Sequence, residues 1–142
     1  MKRVLLLATT TGYQIRSFGE AALAAGAELM LATDRCDHLD DPWADRAIPV
    51  RFLDDNRMMD VAIAACVAQK PDAVLAVGDQ PTLLAARVNE TLGLPGNPPV
   101  AAAKSRNKRE ARDAFKGAGL LTPAYQAFSL RDSSALVAEE IS

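Results

Sequence analysis

The chain is poor in aromatic residues and has no long apolar run. Phe, Trp and Tyr make up 5% of its 142 residues, whereas 27 residues are alanine. Alanine favours helices, and strands prefer β-branched and aromatic side chains. The composition therefore argues against an all-β fold. With 49% hydrophobic and 24% charged residues, it is typical of a globular domain.

Cysteine and excess charge are also scarce. Cys36 and Cys66 form no C-x-x-C pair, and Cys36 and His38 stand without further ligands, so neither a disulfide framework nor a metal site is indicated. The net charge of −2 gives no global field for nucleic acid or an anionic membrane. No segment approaches the ~18 apolar residues of a membrane span. We therefore expect a cytoplasmic protein with no nucleic-acid or membrane partner and no metal ligands of its own.

Short apolar runs alternate with helical patterns along the first hundred residues. Predicted strands cover residues 4–8, 28–33, 48–52 and 73–77. Predicted helices cover about residues 13–25 and 57–69, and a third begins around residues 78–81 and ends at Gly93. This order predicts a Rossmann-like α/β fold, an open parallel sheet with helices on both faces and right-handed crossovers.

The remaining residues have a different pattern. Asn97 is predicted to cap a short alanine-rich helix that starts at Pro98. A second helix is predicted to begin within residues 105–108 and to stop at Gly119, with an inward stripe of Ala111, Ala114, Phe115 and Ala118. Residues 123–129 are predicted as a strand and residues 133–141 as a helix.

Ligands of open parallel sheets bind beyond the carboxyl ends of the strands. The loops after the first and fourth predicted strands are therefore the expected site, and they contain Thr9 to Gly12 and Gly78 to Thr82. Hydroxyls and amides before a helix suit an anion. The first loop lacks both G-x-G-x-x-G and a P-loop lysine, which argues against a dinucleotide site, and the alternative is a polar turn that only connects two elements.

Two aspartates near these strand ends have alternative roles. Asp79 is able to hold an amine or hydroxyl of a substrate, or to cap the helix that follows it. Asp34 ends the second strand, where an acid can bind a ribose hydroxyl, but an acidic loop follows it here.

A cationic stretch opens the helix near residue 108. Residues 104–109 have the sequence KSRNKR, and cations in a first turn oppose the helix dipole by ~0.3 to 1 kcal/mol each. A bound phosphate, attracted by lysine and by free amides, resolves this conflict. The alternative is a solvated face on which Arg106 pairs with Glu110 and Arg109 with Asp113, which leaves Lys108 and Arg112 unpaired.

Three motifs of this region resemble the ATP-grasp superfamily. They are the G-L-P-G loop within residues 93–99, the N-K-x-x-x-R pattern from Asn107 to Arg112, and the A-G-L-x-x-P exit ending at Pro123. Relatives include biotin carboxylase, D-alanine ligases, glycinamide ribonucleotide synthetase and the carboxylate-amine ligases. The resemblance implies a pre-ATP-grasp domain over residues 1–103, a linker helix over 104–121 and the start of an ATP-grasp domain over 122–142.

The resemblance also implies a reaction and its ligands. ATP, with Mg²⁺, phosphorylates a small-molecule carboxylate, and an amine or similar nucleophile attacks the acyl phosphate. Lys108 matches the lysine that contacts ATP phosphate, and Arg112 is a second candidate for that contact. The residues that match the substrate-facing edges are Thr10, Thr11, Gly12, Gly78, Asp79, Gln80 and Thr82.

The family's adenine pocket, second phosphate lysine and magnesium ligands have no counterpart in these 142 residues. We therefore expect no catalytic residue here, an inactive isolated chain, and an ATP-grasp domain supplied by the same or a partner chain; a homodimer is allowed. The alternative is a stand-alone flavodoxin-like or Rossmann-like module that binds a nucleotide or serves in signalling.

Overall fold

A computed structural model gives the fold and describes residues 1–9, 14–34, 47–52 and 56–129. The predictions for Thr10, Thr11 and Gly12, for Cys36 and His38, and for a helix over residues 133–141 lie outside these residues. The chain divides into two units, Met1–Arg106 and Asn107–Ser142.

The first unit is a parallel α/β sheet with helices on both faces, as predicted. Its strands are β1 (Arg3–Ala8), β2 (Glu28–Thr33), β3 (Ile48–Pro49) and β4 (Ala73–Val77). Its helices are α1 (Ile15–Ala24), α2 (Asn56–Ala68), α3 (Asp79–Leu92) and α4 (Pro99–Ser105). Within the described residues the strand order is β3-β2-β1-β4, and every pairing is parallel.

The core lies on both sides of β1, whose last four residues are fully buried. Leu5 and Leu7 pack with side chains of α2 and α3, including Cys66 and Leu84. Leu6 and Ala8 point to the opposite face, where Ile15 and Phe18 of α1 pack against them. This alternation explains the continuous apolar run, because a central strand covered on both faces needs apolar residues at every position.

An aspartate fixes the register of β1 against β4 at the amino end of the sheet. The Asp72 carboxylate accepts hydrogen bonds from the backbone N–H of Arg3 at 2.8 Å and from Lys2 Nζ at 2.9 Å. The Asp72 N–H donates to the Arg3 carbonyl oxygen at 2.8 Å. The backbone hydrogen bond, followed by the bond from Lys2, lowers the pKa of Asp72. This register places Ala8 opposite Val77 at the other end of the strands.

Two sequence predictions for the first unit need correction. The third strand was predicted over residues 48–52, but the strand that pairs with β2 contains only Ile48 and Pro49. Beyond it, the Val50 N–H still donates to the carbonyl oxygen of Thr33, the last residue of β2, at 2.9 Å. Val50 and Phe52 are nevertheless buried. The predicted cap, Asn97, lies one residue before the N-cap of α4, which is Pro98. A residue that precedes proline is driven to extended backbone, so Pro98 stays extended and the helix starts at Pro99.

Gly96 lies against the buried side chain of Asn89 in α3. A Cβ at position 96 would lie 2.6 Å from Asn89 Nδ2 and 3.0 Å from Asn89 Cβ. Asn89 is 6% exposed, so its amide has no room to swing away. The loop after α3 therefore requires glycine at this position.

We expect Gly96→Ala to lower the free energy of unfolding by about 1 to 3 kcal/mol, the usual cost of overpacking. Urea denaturation followed by circular dichroism measures it. Asn89→Ala removes the amide that causes the closest contact, so the double variant should lose less than the sum of the two single losses. Gly117→Ala, with no atom within 4 Å of the added Cβ, is the control and should not destabilise the protein. Strictly additive losses would contradict the contact.

The described part of the second unit consists of α5 (Lys108–Gly117) and the segment that follows it. The predicted inward stripe is only half realised: Ala111 and Ala114 are partly buried, whereas Phe115 and Ala118 are exposed. Residues 123–129 do not form the predicted strand. A strand requires a hydrogen-bonded neighbour, and no described strand pairs with this segment.

Candidate functional site

The candidate site lies where the strand order reverses. β1 is followed by β2 on one side of it, and the chain later returns to place β4 on the other side. Ala8 pairs with Val77, so Thr9 and Gly78 follow directly from neighbouring strand ends. Adjacent strands are about 4.8 Å apart, and ligands of open α/β sheets bind at this reversal point. The fold thus makes neighbours of the two strand ends from which the predicted loops start.

The turn from β4 into α3 depends on glycine. Gly78 is the N-cap of α3 and has φ 91° and ψ 170°, a conformation that side chains disfavour. Asp79 is the first residue of the helix and makes no side-chain cap. The alternative role of Asp79 as helix cap is therefore wrong, because the preceding glycine occupies the cap position.

The polar groups of this turn remain open to solvent. Gly78, Asp79 and Gln80 are exposed, and Thr82 is partly buried. Thr82 Oγ1 donates to the Gly78 carbonyl oxygen at 2.8 Å, which commits its proton but leaves its oxygen as an acceptor. Among the residues that the structure describes, the Asp79 carboxylate has no hydrogen-bond or ion-pair partner, so it can accept from an ammonium or hydroxyl group.

Asn107 occupies the amino end of α5. Its Oδ1 accepts hydrogen bonds from the backbone N–H groups of Arg109 at 3.0 Å and Glu110 at 3.3 Å. Its Nδ2 donates to Glu110 Oε1 at 3.2 Å, which closes a capping arrangement. Two of the amides that the sequence analysis assigned to a phosphate are therefore already bound. The part of the phosphate hypothesis that rested on these amides is wrong. What remains of it is the attraction of a phosphate to the side chain of Lys108.

The cations of α5 have different surroundings. Arg109 Nε lies 3.8 Å from Asp113 Oδ2, as the predicted pairing requires. The Arg112 guanidinium lies over the ring of Tyr125, 5.3 Å from its centroid, so Arg112 is not unpaired as predicted. Lys108 is exposed and, within the described residues, has neither a hydrogen-bond nor an ion-pair partner.

The environment of Tyr125 was not predicted from the sequence. Its hydroxyl donates to Asp113 Oδ1, and this hydrogen bond is the main reason why the pKa of Tyr125 is raised. No spacing rule connects residue 125 to a helix that ends before residue 118. The only available signal in the sequence was an aromatic residue that follows Lys108 and Arg112, the two cations for which no ion pair was predicted.

In the described ranges, no three or more His, Cys, Asp or Glu side chains are grouped to hold a metal ion. Likewise, no described helix is both long and apolar enough to cross a membrane. Cys66 is a free, buried thiol, and burial raises its pKa to about 12.

A parallel sheet with helices on both faces, whose strand order reverses at β1, defines a Rossmann-like fold. Residues 19–96 match the family model of the ATP-grasp N-terminal domain. This match covers more than half of the chain, and the chain belongs to that family. No curated protein matches the chain by sequence.

Two crystal structures share the fold. An L-amino acid ligase from Bacillus licheniformis is 23% identical with a TM-score of 0.69, over 90% of this chain and 33% of that one. A phosphoribosylglycinamide synthetase from Anaerococcus prevotii is 21% identical with a TM-score of 0.62, over 96% of this chain and 33% of that one. The chain thus spans about a third of the length of each.

Proposed function

We propose that this chain is the N-terminal, substrate-side portion of an ATP-dependent ligase of the carboxylate-amine type. The observation that carries the proposal is the adjacency of the β1 and β4 carboxyl ends at the reversal point of an ATP-grasp N-terminal domain. The fold of the L-amino acid ligase supports the choice of an amine as nucleophile.

In the proposed reaction, a carboxylate oxygen attacks the γ-phosphorus of ATP and ADP leaves. The amine nitrogen then attacks the acyl carbon and phosphate leaves. The role of the first unit is to hold the small substrates at the strand ends. Gly78, Asp79, Gln80 and Thr82 form one edge of the proposed site, and Thr10, Thr11 and Gly12 are proposed to form the other. The exposed Asp79 carboxylate suits the ammonium group of an amine substrate.

ATP and Mg²⁺ are the proposed cofactors, and the described residues fit them in part. The Lys108 ammonium group has no partner in the described ranges and lies at the start of α5, where a phosphate would also meet the favourable end of the helix dipole. Arg112 is proposed as a weaker contact, because its guanidinium is already stacked on Tyr125. No described cluster of acids suits Mg²⁺, so its ligands are assigned to the ATP-grasp domain of the same or a partner chain.

We further infer that the isolated chain is inactive, since its proposed site residues supply substrate contacts and a phosphate cation and none of them is assigned a catalytic role. A cytoplasmic location fits the free thiol of Cys66. We also propose that domain boundaries fall after residues 103 and 121. A homodimer is the proposed assembly.

The test is ADP release by the complete ligase that contains this sequence, measured against a panel of amino acids and small carboxylic acids. We expect release that depends on both an acid and an amine, and none from the 142-residue chain alone. ADP release by the isolated chain would contradict its proposed inactivity. Stabilisation of the isolated chain by NAD or FMN, but not by ATP, in a thermal-shift assay would favour the stand-alone module instead.

A further inference from the structure

Tyr125 makes two different contacts with α5. Its hydroxyl donates to the Asp113 carboxylate, and its ring lies beneath the Arg112 guanidinium. The second Asp113 oxygen faces Arg109 Nε at 3.8 Å. The phenol thus joins a short network of charges on the helix surface. A ring that is held at both its face and its hydroxyl has little freedom to turn.

The backbone returns to α5 through a tight turn. Gly119 has φ 71°, a left-handed conformation that favours glycine. The Leu120 N–H donates to the Phe115 carbonyl oxygen at 2.9 Å, which closes the end of the helix. The chain then runs back until Tyr125 lies beside residues that precede it by twelve and thirteen positions.

The contacted face of α5 also carries Lys108. Residues four apart lie on the same side of a helix, and Arg112 follows Lys108 by four positions. We propose that Tyr125 is a positioning residue, which latches the segment after α5 to the helix face that presents Lys108. This inference rests on the proposed function for its effect on ATP, but the latch itself is testable without any activity.

The first experiment is a spectroscopic titration of the whole chain. The sequence has two tyrosines, so Tyr13→Phe leaves Tyr125 as the only phenol whose tyrosinate band is observed. Asp113 raises the pKa of Tyr125, whereas Arg109 and Arg112 lower it. We therefore expect a midpoint above the ordinary value of about 10.

Two variants should move this midpoint in opposite directions. Asp113→Asn removes the acceptor carboxylate and should lower the midpoint, and Arg112→Gln removes a neighbouring positive charge and should raise it. Circular dichroism at each pH shows that the fold persists. An ordinary midpoint that neither variant moves would overturn the latch.

The second experiment measures the KM for ATP of the complete ligase. Tyr125→Leu should raise it roughly two- to ten-fold, the effect of losing one hydrogen bond. Tyr125→Phe keeps the ring beneath Arg112 and should recover part of the loss. If Tyr125 acts through Lys108, Tyr125→Leu adds little in a Lys108→Ala background.

The outcomes separate the latch from the proposed function. Full multiplication of the Tyr125→Leu and Lys108→Ala effects would overturn the positioning role and make Tyr125 merely structural. If the complete ligase does not use ATP, the proposed function fails, while the titration still decides whether Tyr125 is latched to α5.

Discussion

Replacement of Leu6 by alanine is expected to lower the free energy of unfolding by about 2 to 5 kcal/mol. Leu6 is fully buried in the central strand β1, between Leu31 of β2 and Leu75 of β4. Ile15 and Phe18 of α1 cover it. Truncation removes apolar contacts and leaves a cavity that neighbours on three sides are unable to fill.

Leu75 provides a matched control, because it is the register partner of Leu6 on the same face of the sheet. It is 44% exposed, and α1 packs mainly against β2. Leu75→Ala should therefore cost about 1 kcal/mol or less, because little additional surface is exposed and no closed cavity forms. Urea denaturation of both variants measures the difference. Equal losses would mean that the β4 half of this face is covered in solution.

The sequence predicted the sheet well because its strands are buried. β2 and β4 have the predicted bounds, and β1 begins one residue earlier than predicted. In α3, Leu84, Val88 and Leu92 follow one another at helical spacing and pack in the core, and Gly93 closes the helix with φ 64°, as predicted. In each of these elements the hydrophobic pattern and the stop signals agree, so local and tertiary preferences point to one structure.

The errors occurred where a partner decides the conformation. Residues 123–129 have a pattern compatible with a strand, but no described strand pairs with them, and Tyr125 packs on α5 instead. The amides at the start of α5 were expected to be free because the run of cations dominates the pattern. The asparagine that satisfies them is a single residue within that run.

The candidate site was predictable in its location but only partly in its contacts. The rule for open parallel sheets indicated the β1 and β4 carboxyl ends, and the register brings them together. The role of Asp79 remained open in the sequence because aspartate commonly caps helices and also binds amines and hydroxyls. Only the backbone conformation of Gly78 shows that the cap position is already occupied.

Lys108→Ala in the complete ligase is expected to lower kcat/KM for ATP roughly 10- to 150-fold. This range corresponds to the roughly 1.5 to 3 kcal/mol of a charge-assisted hydrogen bond. The ammonium group has no partner within the described residues, so it is free to contact a phosphate. Steady-state ADP release at varied ATP concentration measures the effect. Lys116→Ala, at the opposite end of α5, is the control and should change kcat/KM less than about two-fold.

The stability of the same variant separates a binding role from a structural one. Lys108 is the first residue of α5, where a positive charge opposes the helix dipole. Its removal should therefore leave the melting temperature unchanged or raise it, while ATP use falls. A surface charge without function would leave ATP use unchanged, and a structural lysine would lower both ATP use and the melting temperature. Only a loss of ATP use without a loss of stability supports Lys108 as the phosphate contact, because a residue kept at an unfavourable helix position needs a ligand to offset its cost.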